Sequence, residues 1–228
     1  MTVEVVAGVL LIVAPLWFNT TFALLGNRFD YPDILRRPSS EILERFRAGG
    51  STLILLWWAF MLSGLLFIAA AVLFGQHLGF GGIVPVATTM GVLAGLVQML
   101  GLLRWVYLVP TIARAHADPT LEAEQREMNA VVFRAMHQYL GVGVGEHLGY
   151  LLTGIWSALI GVGIIQGLGP PTWLGWPGIV IGTGLILGSA EFLGPNEERG
   201  WGIAGAAIPV LYIAWSIWLL GLGIAVIA

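Results

Sequence analysis

Apolar residues occur in six long blocks, at 3–25, 51–74, 82–109, 138–166, 175–193 and 202–227, separated by shorter polar stretches. A helix that crosses about 30 Å of hydrocarbon takes about 20 mainly apolar residues. The pattern predicts an all-α protein, a bundle of six transmembrane helices forming a single transmembrane domain over residues 1–228. The first block differs from a cleaved leader. It carries Glu4 where a basic flank belongs, shows no small-residue cleavage site and is too long for a leader's apolar core. It is expected to remain as a span.

Two polar stretches have a periodicity of their own. From Pro38 to Ala48, Ile42, Leu43 and Phe46 share one helical face and Glu41, Glu44, Arg45 and Arg47 take the other, with Gly49 and Gly50 expected to stop the helix. Asp118-Pro119 reads as an N-cap followed by a first-turn proline. Leu121, Met128, Val132, Ala135 and Tyr139 then recur at helical spacing against Glu122, Glu124, Arg126 and Glu127. Both stretches are expected to lie as amphipathic segments on the cytoplasmic leaflet, the second feeding into span four with a bend near Gly141 or Gly143.

Charge orients the bundle. All ten basic residues are Arg. Arg28, Arg36, Arg37, Arg45 and Arg47 follow span one, and Arg104, Arg114, Arg126 and Arg134 surround the connection from span three to span four. Arg199 lies between spans five and six, and the remaining loops and both ends carry none. The positive-inside rule puts the three Arg-bearing connections in the cytoplasm and both termini outside. Trp105, Trp173, Trp176 and Trp201 are expected as interfacial anchors, and Trp17, Trp57, Trp58 and Trp156 are candidates to wall a greasy cavity.

Composition narrows the class. The chain is 57% hydrophobic and 10% charged with net charge −3, whereas a soluble domain carries about 25% charged residues. A disordered chain, a nucleic-acid binder and an ordinary soluble enzyme are excluded on that ground. The absence of Cys removes thiolate metal sites, iron–sulfur clusters and disulfides. The absence of Lys rules out a Schiff base to retinal or pyridoxal. Arg-only, Ala/Gly/Leu-rich usage is associated with GC-rich bacterial genomes, so the expected location is a bacterial cytoplasmic (inner) membrane, crossed several times.

Span four holds the most informative stretch, His137 to Gly149. Gly141, Gly145 and Gly149, at i, i+4 and i+8, leave a ridge on which another helix packs closely. Beside it Glu146 and His147 enter the membrane, Glu146 at roughly 10 Å depth for 1.5 Å per residue. An ionisable side chain there faces a partner, a cavity or a proton path. Arg104, Glu191, Asn19 and Gln98 belong to the same leaflet. Two readings stand. Glu146 and Glu191 neutralise Arg104 and Arg134, with His147 completing a structural network, or Glu146, His147, Arg104, Glu191, Asn19 and Gln98 line a ligand or proton site.

Other chemistry finds less. His77, His116, His137 and His147 cannot supply the four axial ligands of a two-haem cytochrome, and no ligand spacing supports a metal. Ser189 has no nucleophile elbow and no histidine base in spans five and six. Glu197-Glu198-Arg199 reads as a solvated turn. No catalytic residue is assigned and no cofactor is called for, while a pigment, a lipid or a haem stays open.

Three stretches together, Phe29-Asp30-Tyr31-Pro32-Asp33-Ile34-Leu35-Arg36, His137 to Gly149, and Glu191-Phe192-Leu193-Gly194-Pro195-Asn196-Glu197-Glu198-Arg199-Gly200-Trp201, carry a resemblance. Nearly end to end, the chain resembles small bacterial six-helix membrane proteins catalogued as a domain of unknown function. The resemblance implies the fold and location already derived and brings no substrate or catalytic residue with it. The expected role is non-catalytic: a structural or accessory subunit of a membrane complex, surrounded by membrane lipids and docked through its helices to a protein partner or a second copy. The alternative is a binding or transport protein for a small molecule, a lipid or a proton-coupled solute, with a cytoplasm-facing pocket around Glu146 and His147.

Overall fold

The structure, a computed structural model, describes residues 2–79 and 81–228, and all regular elements among them are helical. In chain order these are α1 (Val3–Phe29), α2 (Ser39–Leu78), α3 (Val84–Leu103), α4 (Val109–His116), α5 (Ala123–Met136), α6 (Gly149–Ile165), α7 (Gly175–Gly188) and α8 (Gly202–Ile227). A π turn at Arg104–Leu108 joins α3 to α4, and a longer π segment at His137–Leu148 joins α5 to α6. Five continuous runs are long and apolar enough to cross a membrane, and Thr172–Gly188, which contains α7, is a shorter apolar helix. The chain is a multi-pass membrane bundle.

Six of the helices close a ring: α1 packs on α2, α2 on α3, α3 on α6, α6 on α7, α7 on α8, and α8 on α1. Several of these contacts are made by bare backbone. A β-carbon on Gly161 would lie 2.5 Å from the Gly175 carbonyl oxygen, and one on Gly154 would lie 2.6 Å from that of Gly182. Helices that share a solvent of hydrocarbon gain little from burying apolar surface against each other, so close backbone approach is what holds them.

Side chains fill the ring in two clusters. Mid-bundle, Trp156 meets Phe67, Trp215 and Trp218 edge-on, with centroids 5.0, 6.3 and 5.8 Å away. The Trp215 indole donates to Ser157 Oγ at 3.0 Å and the Trp218 indole to the Leu174 carbonyl at 2.8 Å, which satisfies donors that hydrocarbon cannot. At the arginine-bearing end, Trp57 and Trp105 stack 4.6 Å apart and 8° from parallel, enclosed by Phe29, Phe46, Ile34 and Phe133.

The Gly49-Gly50 stop is present as expected: α2 is two helices joined across a kink, where Gly50 leaves helical torsions (φ 55°, ψ −153°). Several other expectations are corrected here. Asp118-Pro119 does not start a helix. Asp118 accepts the Thr120 amide at 2.9 Å and its hydroxyl at 2.7 Å, closing a local turn, and α5 begins at Ala123, where Gln125 accepts the Glu122 amide at 3.0 Å. These side-chain bonds compete with the helix for the same amides. On α5 the buried residues are Ala130 and Phe133, while Met128, Val132, Ala135 and Tyr139 are exposed. Phe133 rolls the helix, packing 6.1 Å from Trp105 and 5.6 Å from His137. Trp105, expected at an interface, is fully buried. Trp57 and Trp156 are packed into the two clusters, and Trp17 and Trp58 are exposed, so the four do not wall a common cavity.

Candidate functional site: a carboxylate-lined cavity beside the glycine ridge

The glycine ridge of the π segment is seated on α3. A β-carbon on Gly141 would lie 2.6 Å from Arg104 Nη2, one on Gly149 would lie 3.1 Å from Gln98 Cγ, and Gly101 meets Gly145 between them. Gly141, Gly145 and Gly149 thus oppose Arg104, Gly101 and Gln98 in antiparallel order. The ridge exists in the sequence for close packing, and its partner is this chain's own third span.

That seating decides where Arg104 goes. The side chain is buried, donates from Nη1 to the Gly101 carbonyl and lies over the Trp105 ring at 5.2 Å. The expected ion pairs from Glu146 or Glu191 to Arg104 or Arg134 are not formed. Among the described residues, ion pairs join Arg37 to Asp30 and Glu41, and Arg45 to Asp30. The space left by Gly141 draws the guanidinium against the ridge, and Glu146 lines a cavity whose wall does not include Arg104.

The cavity forms because two neighbouring elements end at different heights. α7 stops at Gly188, while the π segment continues past the same level. The gap holds about 110 Å³. Gln138, Val142, Glu146, His147 and Tyr150 line it from one side, and Ser189, Glu191, Phe192 and Leu193 from the other. His147 bridges the two walls: its Nδ1–H donates to the Ser189 carbonyl at 2.7 Å. A hydrogen bond at one ring nitrogen fixes the tautomer, so the neutral ring keeps its lone pair on Nε2. Glu146 makes no hydrogen bond or ion pair among the described residues.

Of the six residues expected at a site, the structure brings Glu146, His147 and Glu191 together and places the other three elsewhere. Asn19 donates to Ser216 Oγ at 2.9 Å and to the Pro15 carbonyl at 2.7 Å, tying α1 to α8. Gln98 donates to Thr153 Oγ1 at 3.0 Å, tying α3 to α6. Both amides are spent on helix pairing. Sequence reasoning missed Gln138, Val142 and Tyr150, although with Glu146 they recur every fourth residue and mark one face. The turn residues Phe192 and Leu193 left no such signal.

The loop after α1 closes in on the same region. Tyr31 packs against Phe22, Trp57 and Phe60 at 5.3, 5.1 and 6.2 Å. Burial pushes its phenol above the usual range, the Glu146 carboxylate adds to that and the Arg104 guanidinium opposes it. Beyond the end of α7, burial also raises the Glu191 carboxyl, opposed by Arg36 from this loop. No group of three or more His, Asp or Glu among the described residues converges as a metal site.

A second hollow, about 490 Å³, is lined by Leu78, Gly79, Gly81, Gly82, Ile83, Gln166 and Leu168, none of which is ionisable. One family, described as a domain of unknown function (DUF4386), matches residues 6–223. No curated protein and no solved structure matches the chain.

Proposed function

The chain belongs to this family of domains of unknown function, and from that premise we propose that it binds a small ligand from the cytoplasmic side of a bacterial inner membrane, in the cavity at Glu146 and His147. The observation that carries the reading is a half-buried carboxylate, Glu146, that makes no hydrogen bond or ion pair among the described residues and stands in the wall of an accessible cavity. Ionisable side chains at membrane depth are costly, and one left unpaired marks a place where a ligand or a proton completes the set. In this reading the protein is not an enzyme.

The orientation rests on the positive-inside rule: with six passes, all ten Arg fall on cytoplasmic connections and both termini lie outside. The exposed stripe of Met128 and Val132 on α5, continued by Tyr139 in the π segment, suits the cytoplasmic leaflet, as an amphipathic segment that presents it to lipid. The competing reading is an accessory subunit docked through its helices. The glycine ridge supports it less than the sequence suggests, because α3 occupies that ridge.

Purification from native membranes followed by native mass spectrometry and an absorption spectrum separates the two. A lone chain carrying a small molecule or lipid, lost in Glu146→Gln, is expected. A stoichiometric protein partner retained in that variant would favour the accessory subunit.

A further inference from the structure

We propose that the Glu146–His147 cavity takes a primary ammonium group bearing a short apolar substituent, an inference that rests on the ligand-binding reading above. Two carboxylates set the charge of the wall, while Gln138 and Tyr150 add neutral groups that both donate and accept. Glu146 and Glu191 are carboxylates, and His147 has committed its Nδ1–H to the Ser189 carbonyl, which leaves the Nε2 lone pair. No Lys exists in the chain and no Arg lines the cavity. Arg104 is held by the Gly101 carbonyl against the ridge, and Arg36 lies outside on the loop facing Glu191. An anion entering here meets two carboxyl groups and no fixed cationic donor.

The cation is organic. A divalent metal takes several converging ligands, and no cluster of three exists among the described residues. A primary ammonium carries three N–H donors in a compact head, of which one can reach Glu146 while the others turn to neighbouring groups or water, whereas a quaternary ammonium offers the carboxylate none. Val142, Phe192 and Leu193 supply the apolar part of the wall. The volume of about 110 Å³ admits a head and a few carbons. Glu146, half-buried and without a hydrogen bond or ion pair among the described residues, is the group that such a head neutralises. The same chemistry is offered by a free alkylamine and by an ethanolamine lipid headgroup.

The test is equilibrium dialysis of the purified full chain in phosphatidylglycerol nanodiscs with radiolabelled butylammonium. Saturable binding of one equivalent per chain is expected, displaced by unlabelled butylammonium and not by a tenfold excess of butyrate, butanol or tetramethylammonium. Glu146→Gln is expected to weaken binding at least tenfold. Because that variant also alters the bundle, the competition series on the unmodified protein decides independently. Repeating it with phosphatidylethanolamine in the discs identifies the source: loss of butylammonium binding assigns the headgroup, and unchanged binding assigns a free amine. Competition by butanol or butyrate as strong as by butylammonium would overturn the ammonium assignment and leave the cavity a ligand site. Absence of butylammonium binding, together with native chains that carry no small molecule or lipid, would overturn both.

Discussion

Gly101 and Gly145 meet backbone to backbone: a β-carbon on Gly101 would lie 2.6 Å from the Gly145 α-carbon, whereas one on Gly145 would lie 3.3 Å from the Gly101 α-carbon. The pair is the point where α3 and the π segment come closest, with Arg104 on one side and Gln98 on the other. It therefore sets how far Arg104 is pressed under Gly141 and which face of the π segment is left for the cavity.

The asymmetry of the pair is measurable. Gly101→Ala forces backbone apart and is expected to destabilise by about 1–3 kcal/mol, the range for overpacking. In Gly145→Ala the tight contact is offset by the roughly 1 kcal/mol that Ala gains over Gly in a helix, so stability is expected to stay within about 1 kcal/mol. Denaturant titration in detergent micelles ranks the two. Equal losses would show that the contact does not set the helix separation.

The loop bearing Tyr31 is held by its apolar side chain more than by its charges. Ile34 is fully buried, and Ile34→Ala is expected to cost about 2–5 kcal/mol. Arg37 pairs with Asp30 and Glu41, but these side chains are 39%, 41% and 40% exposed. Arg37→Ala is expected to cost less than about 1 kcal/mol. The same titration reads both, and a larger loss for Arg37→Ala would reverse the assignment.

Mid-bundle, Ser157→Ala leaves the buried Trp215 indole without its acceptor. A loss of about 1 kcal/mol is expected, between the penalty for an orphaned buried donor and the smaller values found inside membranes. A red-edge change in tryptophan emission should accompany it. No change in either quantity would mean that the indole finds another acceptor.

The Asp118 turn is sensitive to acid. Hydrogen bonds from the Thr120 hydroxyl and then its amide hold the Asp118 carboxyl below its usual range. A carboxyl with a depressed folded pKa stabilises above the unfolded value and loses that contribution as pH falls through the folded one. The Thr120 amide proton resonance is expected to move with a midpoint below that of an ordinary aspartate, and Asp118→Ala should abolish the titration. A midpoint at or above the ordinary value would refute the turn.

The spans were legible because about 20 apolar residues in a row have few other uses. Glu146 and His147 were legible because ionisable residues stand out in such a run. What the sequence withheld was direction around the helix. Glu146 and Arg104 share a leaflet, yet the carboxylate lines a cavity and the guanidinium goes under Gly141. The wider π turn, in which amides bond five residues back, shifts faces that an α-helical reading assigns. Asn19 and Gln98 look like site residues by polarity alone, and each instead bridges two helices, a role fixed by partners about 200 and 55 positions away in the chain. α5 misled for a related reason: its apolar stripe is continuous, but the single ring of Phe133 chooses the buried edge.

The early end of α7 has a consequence for the lipid around it. The helical run Thr172–Gly188 that contains α7 spans about 25 Å at 1.5 Å per residue, roughly 5 Å short of an average hydrocarbon layer. A span that short is accommodated by local bilayer thinning, which draws headgroups and water inward on that side only. The cavity mouth lies at the same end of α7. A ligand of the kind proposed would thus arrive sideways, from a dimple in the leaflet that the protein makes for itself.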